Sequence, residues 1–242
     1  MAAGRLTAAH RRRLREIWRS AGWPCHDAIE LDLLGAGLLA RRWDEQGRET
    51  LQVTDAGVQL LAAARQRNQA AFDAHEALVQ TVAREMQRAG RVVWRQLSLR
   101  AALPAPEDGG ATVWAMAMPD VFSIRHTTVE DYTEPVVHEI KVSRADLLAD
   151  LGQVNKGAAY LALSSQCWYV LRKGIAEPDE VPAVHGVMLA DESGQLEVAR
   201  PAPRRAMRLP FAVWMALARA PAEPPLDEGQ AMLGPTEPQS PT

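Results

Sequence analysis

Apolar and polar positions alternate along the chain with two different periods. Near the start, Leu14, Ile17 and Trp18 recur at helical spacing behind Thr7 as a candidate N-cap and ahead of Gly22, which predicts an amphipathic helix over 7–21 with a strongly basic face. A second helix is predicted over 27–39. The run Leu38–Trp43, the turn at Glu45-Gln46-Gly47 and the run Glu49–Val53 predict a hairpin, after which Thr54 is placed to cap another helix. Between Gly57 and Gly90 there is no Gly or Pro, and Leu60, Leu61, Ala64, Phe72, Leu78, Val79, Val82 and Met86 keep helical spacing, so one long helix or two abutting helices are expected.

The period then shortens. Strands are predicted at 91–99, within 112–124 and at 135–142, followed by a helix at 154–164. Further strands are predicted at 166–172, 184–189 and 196–199, and a closing helix at about 209–219. From Pro221 onward the chain holds six of its sixteen prolines and little that could pack, so 221–242 is expected to be a disordered tail.

Composition narrows the class. The chain has 242 residues, 47% hydrophobic and 24% charged, the balance of a globular protein with one large or two modest domains. No apolar run approaches the roughly 18 residues of a membrane span. The first helix, with Arg11, Arg12, Arg13 and Arg15, lacks the apolar centre of a signal peptide, so a cytoplasmic protein without a membrane partner is expected. Cys25 and Cys167 stand alone, which argues against a disulfide framework or structural zinc. The seven Trp residues are scattered and read mostly as core, and no phosphate-binding glycine loop is present.

The net charge of −3 hides an uneven distribution. Residues 1–70 carry eleven Arg against eight acidic groups, a local +3, whereas residues 71–200 carry twelve basic against eighteen acidic groups, a local −6. Only Lys141, Lys156 and Lys173 are lysines among the 27 basic residues, so a lysine marks a place where a compact amine is wanted.

The chemistry concentrates in two neighbouring strands. Asp120 follows Pro119 in "MPD", and Glu139 and Lys141 stand in "HEIK", where strand alternation puts both on one face and Ile140 on the other. Helix, three strands, helix, strand, with these residues on the second and third strands and "AHEALV" and "NKGAAY" on either side, resembles the PD-(D/E)XK nuclease superfamily. Within it, the sequence looks most like the DNA-repair-associated MmcB type. The stretch "AGLLARRWDEQGRETLQVTDAG" resembles a winged-helix domain, although Trp23-Pro24-Cys25-His26 leaves little room for the usual middle helix and the would-be reading helix carries Glu30 and Asp32.

These resemblances imply an α/β fold: a restriction-endonuclease-like core, with a mixed central sheet flanked by helices, over 71–220, preceded by a small winged-helix-like α+β domain over 1–70. They imply a Mg²⁺-dependent nuclease, Mn²⁺ substituting, acting on DNA in repair or processing. Asp120, Glu139 and the Ile140 carbonyl are the implied metal ligands. Lys141 is the implied group that holds or deprotonates the attacking water, and Glu76 completes the shell through water. Lys156 is expected at the phosphate, with Tyr160, Ser143 and Arg144 as substrate contacts.

Plainer readings compete. Glu139 and Lys141 can also be read as a solvated ion pair, against which the flanking Val136, Val137, Ile140 and Val142 suggest a central strand. Glu76 can be read as a solvated helix residue, Tyr160 as core, Ser143 as a helix cap, and Asp146 with Asp150 as a helix-start pair or solvated face. His75-Glu76 suggests a zinc protease only if position 79 were His, and it is Val79. A non-catalytic DNA-binding repair scaffold and a winged-helix transcriptional regulator are the rival functions. The basic first helix is expected to hold DNA phosphates or to dock a second copy or another protein, without reading base sequence.

Overall fold

The computed structural model describes residues 6–104 and 112–226. The chain divides into two compact units, Met1–Phe72 and Asp73–Thr242.

In the first unit, helices α1 (Ala8–Arg19) and α2 (Ala28–Gly35) precede a hairpin of β1 (Leu39–Trp43) and β2 (Glu49–Val53), and α3 (Asp55–Arg88) follows. Leu14, Ile17, Leu33, Leu39, Leu51 and Val53 form its core. Helix α2 stops earlier than the expected 39 because the backbone turns left-handed at Gly37 (φ 70°). There the Leu38 N–H donates to the Leu33 carbonyl at 2.9 Å and the Gly37 N–H to Leu34 at 3.0 Å, a glycine-dependent helix stop. Glu30 is not presented to solvent: its Oε2 accepts the N–H of Cys25 at 2.6 Å and of His26 at 3.3 Å, holding the bend in front of α2. Asp32 pairs instead with His10 at 3.0 Å. The gapless stretch after Thr54 forms one helix of 34 residues.

The second unit is built on a six-stranded sheet of β3 (Arg91–Arg95), β6 (Val121–Arg125), β7 (Val136–Lys141), β8 (Gln166–Arg172), β9 (Gly186–Ala190) and β10 (Leu196–Arg200). The spatial order is β10-β9-β8-β7-β6-β3. Pairing is parallel across β7–β8 and β8–β9 and antiparallel elsewhere, so the sheet is mixed. Helices α4 (Arg144–Leu151) and α5 (Val154–Leu163) form the crossover from β7 to β8, and α6 (Phe211–Arg219) closes the unit. The expected strand within 112–124 is two strands. β5 (Thr112–Ala117) pairs with β4 (Leu99–Pro104) as a separate hairpin, and the chain leaves it through Met118-Pro119-Asp120 to start β6. Pro119 has no N–H to give a ladder, which suits it to the break.

Both faces of the sheet are covered. Leu78, Val79, Val82 and Ala83 of α3 pack on Val93, Val121, Ile140 and Val170. On the opposite face Tyr160 and Leu163 of α5 and Val213 and Leu217 of α6 pack with Leu99, Phe122, Val137 and Cys167. All six residues of β7 are buried, as expected of a central strand covered on both faces. Among the described residues, no helix is long and apolar enough to cross a membrane.

Two other expectations change. Trp94 and Trp168 are core, but Trp18, Trp23, Trp43 and Trp114 are exposed, since helix and hairpin surfaces left them outside the packed layers. The start of the proline-rich tail is anchored. The Glu223 N–H donates to the Val93 carbonyl at 2.8 Å, Glu223 pairs with Arg95 at 2.7 Å, and Gln87 donates to the Pro224 carbonyl at 2.7 Å. Residues 221–226 thereby satisfy part of the free edge of β3. The rest of that expectation, 227–242, lies outside the described residues.

Packing of β9 against the chain beyond β10 leaves no room at Gly186, where a Cβ would sit 2.4 Å from Trp168 Cε3 and 2.7 Å from Ala202 Cβ. Gly186→Ala is expected to destabilise by about 1–3 kcal/mol. Gly157→Ala, at a helical position with open space around it, is expected to stabilise by about 0.5–1 kcal/mol. Urea unfolding of the two variants therefore moves in opposite directions; a shared direction would refute the packing at Gly186.

Candidate active site

The site begins where a strand pair ends. The last aligned pair of β6 and β7 is Val121 with His138, and the next residue toward the Pro119 break is Asp120. With no β6 backbone left opposite Ile140, Asp120 Oδ2 accepts the Ile140 N–H at 2.7 Å. A side chain thus replaces a ladder bond, which fixes the carboxylate against the exposed edge of β7. In an extended strand a residue's N–H and C=O leave on the same edge, so the Ile140 carbonyl faces this side as well. Its side chain is wholly buried on the opposite face from Glu139 and Lys141.

Glu139 and Lys141 are 3% and 4% exposed, so the reading as a solvated pair does not hold. Glu139 Oε1 accepts from Lys141 Nζ at 2.8 Å and from Lys156 Nζ at 2.7 Å. Lys156, on α5, also donates to Asp150 Oδ1, and Lys141 stands 3.5 Å from the same oxygen. Tyr169 of β8 donates to Asp150 Oδ2 at 2.8 Å. Two ammonium groups therefore sit between two buried carboxylates. Asp150 is a buried member of the site rather than a solvated helix residue, while Asp146 stays exposed in the first turn of α4. Its position is the last turn of α4, where helical spacing from Leu147 already turns it inward.

Charge follows from this packing. Burial and then the neighbouring Asp120 push the Glu139 carboxyl above its ordinary range, against the pull of Lys141 and Lys156. Burial alone would lower Lys141 and Lys156, but Glu139 foremost, then Asp150, hold both above the usual lysine range. Burial works against ionised Asp150 too, yet Lys156, Lys141 and Tyr169 leave it below the usual carboxylate range. Lys141 is thus a proton-bearing cation, suited to donating and to balancing charge rather than to deprotonating water. One acceptor is left over: Glu139 Oε2 is buried and makes no hydrogen bond, although the Tyr160 hydroxyl, which donates to the Met118 carbonyl, is near enough that Glu139 adds to burial in raising its pKa.

Near Asp120 lies a residue that the sequence offers only as half of an incomplete zinc motif. His75 Nε2 faces Asp120 Oδ2 across 3.4 Å, and its Nδ1 faces Glu76 Oε1 across 3.5 Å. The bond to Asp120, more than Glu76, raises the His75 pKa against partial burial. Gln96 Nε2 donates to Glu76 Oε1 at 3.3 Å, and its N–H to the Asp120 carbonyl at 3.2 Å. Glu76 therefore reaches Asp120 through His75. The signal for His75 is its place one residue before Glu76 on α3, which becomes informative only once β6 lies beside that helix.

The remaining expected contacts are placed elsewhere. Tyr160 is wholly buried, donates to the Met118 carbonyl at 3.1 Å and lies under Lys156, 5.3 Å from ring centre to Nζ. It braces the chain leading into Pro119-Asp120 and offers no face for a base. Ser143 caps α4 by accepting the Asp146 N–H at 3.2 Å. Arg144 forms a fork with Glu180, 2.9 and 2.7 Å, and donates to the Ile175 carbonyl at 3.2 Å, which ties α4 to a loop.

No protein-family model, curated protein or solved structure matches the chain. Among the described residues no three His, Cys, Asp or Glu side chains are grouped so that they could hold a metal ion. The donors that do lie together are hard oxygens: Asp120, the unbonded Glu139 Oε2 and the edge-facing Ile140 carbonyl. That set fits Mg²⁺, which binds through one or two carboxylates and keeps several waters, and does not fit structural zinc.

The His75 pair gives a pH-dependent test. A histidine whose folded pKa is raised contributes stability that is fully present below its unfolded pKa of about 6.5 and is lost as pH rises through the folded value. Removing the negative charge with Asp120→Asn should lower the His75 pKa and remove that slope. An NMR titration of His75 in both proteins reads this directly, and an unchanged midpoint would refute the pairing.

Proposed function

We propose that the second unit is a divalent-cation-dependent nuclease of the PD-(D/E)XK type, hydrolysing DNA phosphodiesters in repair or processing. The observation that carries this reading is the buried Glu139 with a free Oε2, set beside Asp120 and held by Lys141. A buried carboxylate oxygen without a partner is costly, and here it sits among Asp120, Lys141 and Lys156 rather than in a lone ion pair such as Glu49 with Arg41, which also leaves an oxygen without a hydrogen bond. The mixed sheet, antiparallel through β3, β6 and β7 and parallel beyond, supports a restriction-endonuclease-like core. The helix–helix–hairpin–helix order of the first unit supports a winged-helix-like fold.

Asp120, Glu139 and the Ile140 carbonyl would hold Mg²⁺, with Mn²⁺ as a substitute, and the ion supplies charge neutralisation at the phosphate and a nucleophilic hydroxide near neutral pH. The chain's own groups do the rest. Lys141 Nζ, fixed from behind by Glu139 and Asp150, offers a proton-bearing cation to a phosphate oxygen as its negative charge grows. Lys156 Nζ is the second such donor, and the more accessible one. Asp150 and Tyr169 position these amines, and His75, whose proton affinity Asp120 raises, stands beside the carboxylates. A non-cutting DNA-binding scaffold is the second reading, favoured by the fact that both lysines are engaged with Glu139 and Asp150.

Asp120→Asn keeps an oxygen for the Ile140 N–H, so the variant should fold while cleavage of DNA with Mg²⁺ or Mn²⁺ falls by at least about a hundredfold. Lys141→Ala should also abolish cleavage, but it uncovers two buried carboxylates and costs about 3–5 kcal/mol of stability. Calorimetric titration with Mn²⁺ separates the roles: Asp120→Asn weakens binding and Lys141→Ala does not. Full cleavage by Asp120→Asn would refute the nuclease reading.

A further inference from the structure

The first unit carries a groove of about 1280 Å³ between α1 and the first half of α3. On α1 it is lined by Arg11, Arg15, Trp18 and Arg19, one stripe at helical spacing, and on α3 by Arg65, Arg67 and Phe72. No Asp or Glu among the described residues lines it. Among the described residues, Arg15, Arg19, Arg65 and Arg67 take part in no ion pair, and Arg11 reaches only the Leu6 carbonyl at 3.4 Å. Trp18 and Phe72 are 57% and 59% exposed, although their neighbours Leu14, Ile17 and Leu61 turn inward.

From this arrangement we infer that the groove binds single-stranded nucleic acid, with the arginines on successive phosphates and the two rings stacked on unpaired bases. Five uncompensated guanidinium groups within one unit need a polyanion, because together they repel one another. An exposed indole and an exposed phenyl ring among them need a partner with flat apolar faces. A duplex hides its base faces in the stack and an acidic peptide carries a flat ring only where an aromatic residue interrupts its charges, whereas an unpaired strand presents both phosphate and base at every repeat. Helix α1, with 12 residues, offers a wall of about 18 Å. This binding does not rest on the nuclease reading, since none of the groove residues belongs to the carboxylate site.

The test uses the full chain with EDTA, so that nothing is cut, and labelled thymidylate or uridylate strands of about 12 nucleotides read by fluorescence anisotropy. The same-length duplex, an abasic strand and polyglutamate as competitor complete the set. Either single strand should bind more tightly than the duplex and the abasic strand. Trp18→Ala and Phe72→Ala, both at exposed positions, should each weaken it by about five- to a hundredfold and leave abasic binding unchanged. Arg15→Gln with Arg65→Gln should flatten the salt dependence of log K by about 1.4, roughly 0.7 for each phosphate that is no longer neutralised. Asp120→Asn should leave this binding as it is, so the two readings fail separately. Tighter binding of the duplex, abasic strand or polyglutamate, or ring variants that bind as the native chain does, would overturn the proposal.

Discussion

Two ammonium groups and two carboxylates share the buried face of the central strand, and the second unit is organised around keeping them together. Each charge alone would be costly to remove from water, by several kcal/mol even after relaxation. Glu139 and Lys141 come from β7, Asp150 from α4, Lys156 from α5, and the hydroxyl that finishes Asp150 from Tyr169 on β8. The crossover between two parallel strands must therefore place both of its helices over one end of β7. Loss of any one member leaves another charge buried without its partner.

The second constraint is the break at Pro119. It ends the hairpin of β4 and β5, starts β6 late, and leaves the Ile140 N–H without a backbone acceptor. Asp120 fills that position, Tyr160 anchors the Met118 carbonyl just before it, and Gln96 holds the Asp120 carbonyl. The carboxylate is set by three different elements, so it stands opposite Glu139 at a fixed place and raises the proton affinity of that group. Glu139 Oε2 is left buried and without a hydrogen bond in these surroundings, which is the feature the proposed cation site rests on.

What can be read from the residues is local. Period-two runs with β-branched residues identify β3, β7, β8 and β9, and the gapless stretch after Gly57 identifies α3, because hydrophobic spacing reports directly which face of an element is covered. Strand alternation alone puts Glu139 and Lys141 together. The β4 hairpin escapes a reading of the residues because Leu99–Pro104 has no turn signal on its near side and its partner strand runs on, in sequence, into β6. Helix α2 reads too long because the apolar run through Leu38 and Leu39 hides a helix stop at Gly37 inside a change from helix to strand.

The chain by itself determined which residues are chemically able to act: an acid after a proline, an acid and a lysine one pleat apart, and a basic first helix. Only the tertiary structure decided their partners. Asp150 reads as an ordinary helix residue until α4 is laid over β7, His75 as a failed zinc motif until α3 is laid beside β6, and Tyr160 as either core or a substrate contact until α5 packs on the sheet. Glu30 reads as a repulsive surface charge until its carboxylate is seen holding two backbone N–H groups. Spacing along a chain fixes directions within one element, whereas burial, ion pairing and proton affinity depend on distances between elements far apart in sequence.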